Sequence, residues 1–464
     1  MSSASQQSVK RLKPLDAAFL ALETRDTPMH VAALQIFSLH DQVHDEFVKN
    51  VVQRYRQPSA VDAPWNLRLV RVPFGRVVPA FKVTTNIDFE YHVRHSSLPR
   101  PGGERELGEL ISHLHGTPLD RSRPLWTCHI IEGLSGGRFA IYLKIHHAIA
   151  DGVQGMRMIA RALESTPGHH FRPPWESVPK SDTGVLHQKK SRAALTPPPV
   201  AVLHELARAL RPALLKRRDE AELVLPFESP KSKLNGLVTN ARRVSTQSLP
   251  IVRIKRIGDT AGVSINDVFL SLCSTALRRH LQSLGSLPKQ SLTAAVPVSL
   301  REDGDSKSAN AIGFVWSSLA TDRDDPLSRL QAIARSMRAS KAYLKSMPSS
   351  MRLPVTSMLA VPGTVLGMLG IAHRMKPAMN VVISNVPGPG NTLYLGSARL
   401  DAVYPVSIPS QGQALNTRVQ CVVATHDCSE DDNSSLNASA GVFQSSVFRG
   451  LPFSVAATAS RSRS

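Results

Sequence analysis

The chain reads as an α/β protein of two domains. It has 464 residues, more than one ordinary hydrophobic core holds. Strand-like and helix-like runs alternate over the first 170 residues and resume near residue 241. Between them the pattern collapses: Pro167, Pro173, Pro174, Pro179 and the triplet Pro197–Pro199 sit among Ser, Lys and His, as in a linker or crossover. This divides the chain into an N-terminal domain over 1–170, a crossover over 171–240, a C-terminal domain over 241–420 and an atypical Ser-rich tail over 421–464.

In chain order, Asp45 to Arg56 predicts a helix with Phe47, Val51 and Tyr55 on one face. Arg105 to His115 predicts another, with Leu107, Leu110, Ile111 and Leu114 spaced for one apolar stripe. Gly133-Leu134-Ser135-Gly136-Gly137 matches G-x-S-x-G letter by letter. A nucleophile elbow needs a helix after it, and here a period-two strand follows, Phe139 to Ile145, so the glycines predict a hairpin turn. After Gly152, Val153, Met156, Ile159 and Leu163 return to helical spacing.

Within the crossover, Val200 to Arg218 predicts a basic amphipathic helix: Leu203, Leu206, Leu210 and Leu214 share a face, with Arg208, Arg211, Lys216, Arg217 and Arg218 around it. Residues 181–260 hold 15 basic and 7 acidic side chains, a local concentration of positive charge. Ser264 to Asp267 matches a capping box and opens a helix to about Leu284. Thr293 to Leu300 is strand-like, and Pro297 in it predicts an edge or bulge. Asp325-Pro326 starts a helix through Leu344. Pro354 to Ala372 carries no formal charge over 19 residues, but two prolines and three glycines favour a broken buried helix over a membrane span. Met379 to Ser384 predicts a strand ended by the turn Asn385 to Gly390. The last 44 residues hold 10 Ser and little periodicity.

Composition narrows the function classes. A hydrophobic fraction of 42% and a mean hydropathy of −0.12 fit a folded globular chain. The net charge of +20 implies an anionic partner: nucleic acid, an anionic bilayer or a phosphorylated substrate. Aromatic residues, at 5%, are few for a nucleic-acid stacking platform. The four cysteines, Cys128, Cys273, Cys421 and Cys428, exclude a disulfide scaffold and fit a reducing cytoplasm. The first apolar run, Ala17 to Leu22, is too short for a signal core.

The sharpest feature is Lys144-Ile145-His146-His147-Ala148-Ile149-Ala150-Asp151-Gly152. Period two puts the two histidines on opposite faces, so one ring does chemistry and the other is structural. An imidazole is the natural general base at neutral pH. Asp151 either orients an imidazole or pairs with an arginine, and Gly152 permits a close backbone approach. Adjacent histidines on opposite faces chelate poorly, and no H-E-x-x-H is present, so no metal is expected. No Walker loop or G-x-G-x-x-G appears, so nucleotide chemistry is unsupported.

The motif His146-His147-x-x-x-Asp151-Gly152 resembles that of chloramphenicol-acetyltransferase-like, CoA-dependent acyltransferases. Other blocks resemble the bacterial wax ester synthase/diacylglycerol acyltransferase family: Leu15 to Phe19 with Pro28 to Val31, Pro118 to Trp126, Asn266-Asp267, Val296 to Arg301 and Ser384 to Pro389. The resemblance runs from about residue 12 to Val419 and breaks at Gln420, which puts the family's final strand and helix in doubt. It implies two chloramphenicol-acetyltransferase-like domains, mixed sheets flanked by helices, with the active-site channel between them.

The resemblance further implies transfer of a long-chain acyl group from acyl-CoA, as co-substrate, to diacylglycerol or a fatty alcohol, with no cofactor. His147 would be the base, with His146 supporting, and Asp151 with Gly152 would hold the turn. Asn266 with Asp267 either positions the histidine loop or the substrate, or is an ordinary first turn. Pro124, Leu125 and Trp126 either line an acyl channel or pack the core. The basic helix either docks on an anionic membrane or droplet surface, placing the enzyme peripherally on the inner face of the plasma membrane or on lipid inclusions, or is an ordinary crossover. The alternative function is a catalytically impaired member that binds lipid surfaces. Nucleic acid is not an expected partner.

Overall fold

The protein is described by a computed structural model covering residues 9–12, 14–39, 44–70, 80–150, 152–169, 171–176, 222–300, 312–349, 351–353, 355–356, 358–359, 374–387, 391–409, 411–413, 415–421 and 437–445. The basic helix expected over 200–218, Asp151, and most of the uncharged 354–372 stretch lie outside these residues.

The N-terminal half runs β1 (Lys10–Arg11), α1 (Pro14–Leu22), β2 (His30–Ser38), α2 (His44–Arg56), β3 (Leu67–Val70), β4 (Ala80–Val83), α3 (Phe89–His92), β5 (Val93–Ser97), α4 (Glu104–Gly116), β6 (Trp126–Leu134), β7 (Arg138–His146) and α5 (Gly152–Ala160). The C-terminal half runs β8 (Arg243–Pro250), α6 (Ile251–Ala261), α7 (Ile265–Ser283), β9 (Thr293–Ser299), β10 (Ile312–Ser318), α8 (Pro326–Lys345), β11 (Val381–Pro387), β12 (Tyr394–Leu395), β13 (Ala398–Val406), β14 (Leu415–Cys421) and β15 (Asn437–Ser445).

Two six-stranded sheets result, in the orders β12-β13-β2-β7-β6-β5 and β10-β9-β11-β14-β15-β8, beside a small sheet β1-β4-β3. Both large sheets are mixed: β5 runs parallel to β6, and β11 runs parallel to β9 and β14. The α/β, two-domain expectation therefore holds. The expected boundary between the halves needs correcting. β12 and β13 fall in the stretch assigned to the C-terminal domain, yet β13 pairs with β2 over Arg399 to Val406 and completes the N-terminal sheet. Pairing between distant strands leaves no mark in local sequence.

The helices form where apolar spacing demands. α2 buries Val48, Val51, Val52 and Tyr55, and α4 buries Leu107 and Ile111. α7 carries the expected capping box, Asp267 Oδ2 accepting from the Ser264 N–H at 3.0 Å. Asp325 caps α8 by accepting from the Ser328 N–H at 2.7 Å. β6 and β7 join through the glycine hairpin, with Gly136 and Gly137 at φ of 77° and 62°, conformations that favour glycine.

Three strand readings change. β9 lies between β10 and β11, so Pro297 is not on an outer strand; the β11 ladder covers only Ala294 and Ala295, and Pro297 stands beyond it. β11 begins at Val381 and continues through Pro387, because parallel pairing with β14 carries it past the asparagine that reads as a turn. The tail supplies β15, which pairs with both β14 and β8. Main-chain hydrogen bonds build that strand, and they need no apolar period.

The N-terminal core sits on the odd face of β7, where Phe139, Ile141, Leu143 and Ile145 meet Trp65, Trp126 and Trp175. The even face carries Ala140 and Tyr142 against α4, then Lys144 and His146, both buried. β7 thus ends with its two faces in different chemistry.

Candidate active site

The turn after β7 is fixed by main-chain bonds on both sides. The His146 N–H donates to the Leu125 carbonyl at 3.0 Å, and the His147 N–H donates to the Met29 carbonyl at 2.8 Å. The Ile149 N–H closes the turn on the His146 carbonyl at 2.9 Å. The doublet is therefore held between β6 and the start of β2.

The two rings differ in surroundings. His146 is fully buried. Its Nδ1 accepts from the Ala148 N–H at 3.1 Å, which leaves the proton of a neutral ring on Nε2, 3.5 Å from Glu23 Oε1. His147 is half-buried, and its ring stacks on Phe19 of α1 with centroids 4.1 Å apart.

Glu23 is the hub beneath the turn. Its Oε1 accepts from the Met29 N–H at 2.9 Å, and its Oε2 accepts from Arg121 Nε and Nη2 at 2.9 and 2.7 Å. Arg121 Nη2 also donates to the Leu20 carbonyl at 2.7 Å. Burial pushes the Glu23 pKa up, but the facing His146 ring and hydrogen bonds from Met29 and Arg121 outweigh it and bring the value down to about 2. The carboxylate thus joins α1, the start of β2, the 118–126 segment and His146.

Comparison with known proteins identifies the family. Residues 12–269 match the wax ester synthase/diacylglycerol acyltransferase catalytic domain, and residues 308–425 match the C-terminal domain of the same family. The chain belongs to this family. A putative diacylglycerol O-acyltransferase of Mycobacterium tuberculosis is 40% identical over 410 residues, 87% of this chain and 90% of the relative. The O-acyltransferase WSD of Acinetobacter baylyi is 39% identical over 422 residues, 88% of this chain and 89% of the relative. The structure of the wax ester synthase/diacylglycerol acyltransferase from Marinobacter aquaeolei VT8 superposes with a TM-score of 0.73 at 31% identity, covering 94% of this chain and 93% of that one. This member is accordingly an O-acyltransferase, and its mixed α/β fold is like that of the Marinobacter enzyme.

In this acyltransferase, the block Pro118 to Trp126 does two things. Arg121 reaches Glu23, while Arg123 pairs with Asp88 at 2.8 Å and lies over the Tyr91 ring. Pro124, Leu125 and Trp126 are buried. Trp126 stacks on His92 and Trp175 at 4.4 and 4.6 Å between centroids, and its Nε1 donates to the Trp65 carbonyl at 2.8 Å. Asn266 and Asp267 stand in the first turn of α7, whose later residues Phe269, Leu270 and Cys273 pack on the C-terminal sheet. Asp267 Oδ2 serves the capping box. Gly152 opens α5. Among the described residues, Met29 and Glu23 meet the histidine turn, and Arg121 holds Glu23.

Sequence reasoning missed Glu23 and Arg121. One signal was available: Glu23 follows α1 directly, at the negative end of the helix dipole, where a carboxylate is disfavoured unless a cation meets it.

Proposed function

We propose that this family member moves a fatty acyl group from acyl-CoA to diacylglycerol or a long-chain alcohol, with His147 as general base. The observation that carries the assignment is the difference between the two rings. His146 is fully enclosed, with Nδ1 engaged by Ala148 and Nε2 facing Glu23. His147 is half-buried and braced by Phe19. The hydroxyl of the acceptor gives its proton to the His147 imidazole. Its oxygen forms a bond to the thioester carbonyl carbon, the C–S bond breaks, and the thiolate takes the proton from the imidazolium. Oxygen has replaced sulfur, and no covalent enzyme intermediate is required.

The test follows CoA release from palmitoyl-CoA with hexadecanol or diacylglycerol. His147→Ala is expected to lose at least 10²-fold in kcat, within the usual contribution of a positioned base, about 10²–10⁴. Equal rates in both proteins would remove His147 from the mechanism. Normal lipid binding without turnover in the unaltered chain would favour the second reading, an impaired member acting at lipid surfaces.

Water-insoluble acceptors call for a surface contact. α6 presents Arg253, Lys255 and Arg256 outward with exposed Val252 and Ile257, and one acid, Asp259. Such a helix suits an anionic lipid surface. Among the described residues no single helix is long and apolar enough to cross a membrane. Flotation with phosphatidylserine vesicles is expected to weaken severalfold when Arg253, Lys255 and Arg256 are changed to Glu; unchanged flotation would remove this surface.

A further inference from the structure

On the even face of β7, Lys144 is 3% exposed, two residues before His146. Its ammonium donates to the carbonyls of Leu114 and Thr117, both at 2.7 Å. These lie at the C-terminal end of α4, where a helix leaves carbonyls unpaired and its dipole is negative. Lys144 therefore caps α4 from the neighbouring sheet.

The last turn of α4 is tied in further through His115. Its Nε2 donates to the Ser407 carbonyl at 3.1 Å, so its Nδ1 accepts from the Tyr142 hydroxyl at 2.7 Å. Its own carbonyl accepts from His30 Nε2 at 2.8 Å. His30 stands directly opposite His146 in the β2–β7 ladder. The end of α4 is thus bonded to Lys144 on β7, to His30 on β2 and to the chain after β13, beside the catalytic turn.

We propose that Lys144 is a positioning residue for acyl transfer: its buried ammonium locks the end of α4 to β7 and so fixes the turn that aims His146 at Glu23 and His147 at the substrate. This rests on the reading of His147 as the base. A neutral amine has one fewer proton and no charge to set against the helix end. Deprotonation therefore weakens the clamp, the proton leaving to solvent.

Several titratable and charged groups face this cluster: Glu23 after α1, His30 on β2, His115 on α4, His129 on β6, Tyr142 and His146 on β7, and Arg242 before β8. Burial, with Lys144 adding to it, pushes His30, His115 and His129 down, and burial pushes Tyr142 up. Burial lowers Lys144 itself to about 8, Glu23 opposing.

The experiment is a kcat–pH profile from 6 to 10 for the full chain, Lys144→Met and Lys144→Arg, using palmitoyl-CoA with whichever acceptor the unaltered protein turns over. The unaltered protein is expected to lose kcat about tenfold per pH unit above an apparent value near 8. Lys144→Met is expected to fall at least tenfold in kcat, to hold its KM for acyl-CoA within about twofold, and to show no alkaline limb. Lys144→Arg, a cation over this whole range, is expected to recover part of the rate with the limb moved above pH 9.5. An alkaline limb unchanged in either variant overturns the proposal. So does a flat profile to pH 9.5 in the unaltered protein, a result that needs no variant to fold. Full activity in His147→Ala would instead remove the base assignment, so the two failures are distinguishable.

Discussion

The ring of Phe19 lies against the imidazole of His147, 30° between their planes and 4.1 Å between centroids. Phe19 comes from α1 and belongs to a small apolar cluster with Leu20, Leu119, Leu125 and Ala148. It gives the half-buried imidazole one fixed wall. A stacked aromatic pair contributes about 0.5–1.5 kcal/mol beyond burial, so Phe19→Ala is expected to lower kcat about two- to tenfold. Phe19→Leu should recover part of that loss. Steady-state kinetics on both variants check it, and an unchanged kcat in Phe19→Ala would show that the wall is dispensable.

Glu23 and Arg121 are expected to act as one unit. Glu23→Gln keeps the shape but removes the charge that faces His146, and kcat should fall by about tenfold or more. Arg121→Gln strips the buried carboxylate of its cation and should cost a similar factor. Because the residues share two hydrogen bonds, the double variant should be less impaired than the product of the single losses, with a coupling of about 0.5–3 kcal/mol. A double-mutant cycle on kcat/KM measures this, and strict additivity would separate the two residues.

Much of this site was legible because its chemistry is local. The strand into His146, the turn at His147, the glycine hairpin and the caps at Ser264 and Asp325 each follow from a few adjacent residues. What the sequence hid is what comes from far away in the chain. Glu23 meets Arg121 across 98 positions, Lys144 meets α4 across 27 to 30, and β13 joins β2 across more than 360. No periodicity encodes such pairings. β15 escaped for another reason: its alternation, Ala438, Ala440 and Val442, is short and built of small residues within a Ser-rich tail, though its main chain pairs on both sides.

Trp126 offers a test of structure apart from chemistry. It is fully buried against Trp65, Trp175 and His92, with its indole N–H satisfied by a carbonyl. Trp126→Ala opens a large cavity and orphans that carbonyl, so a loss of about 3–5 kcal/mol is expected. Trp126→Phe should lose less. Urea unfolding of both variants reads the difference, and a change under about 1 kcal/mol for the alanine variant would mean that the cluster repacks.

The buried histidines set an acid limit on stability. Burial, partly opposed by a bond to the Trp126 carbonyl, brings His92 down to about 4, and burial with Lys144 brings His115 down to about 3. His30 is pushed well below its ordinary value by burial, His115 and Lys144. In the unfolded chain each takes a proton near pH 6.5, so below that value the unfolded state binds protons that the native state refuses. Stability is therefore lost as pH falls from 6.5 towards 4, by up to about 1.4 kcal/mol per pH unit for each group. Glu23 adds to the loss only further down: its stabilising contribution, present above the unfolded value of 4.5, disappears as pH drops towards about 2. Three histidines acting together can exhaust a net stability of about 5–15 kcal/mol within a few pH units. Urea midpoints measured from pH 7.5 to 4.5 should hold steady above about 7 and fall steeply below 6. A midpoint constant down to pH 5 would show that these histidines gain protons without unfolding, and that the polar face of β7 is open to water.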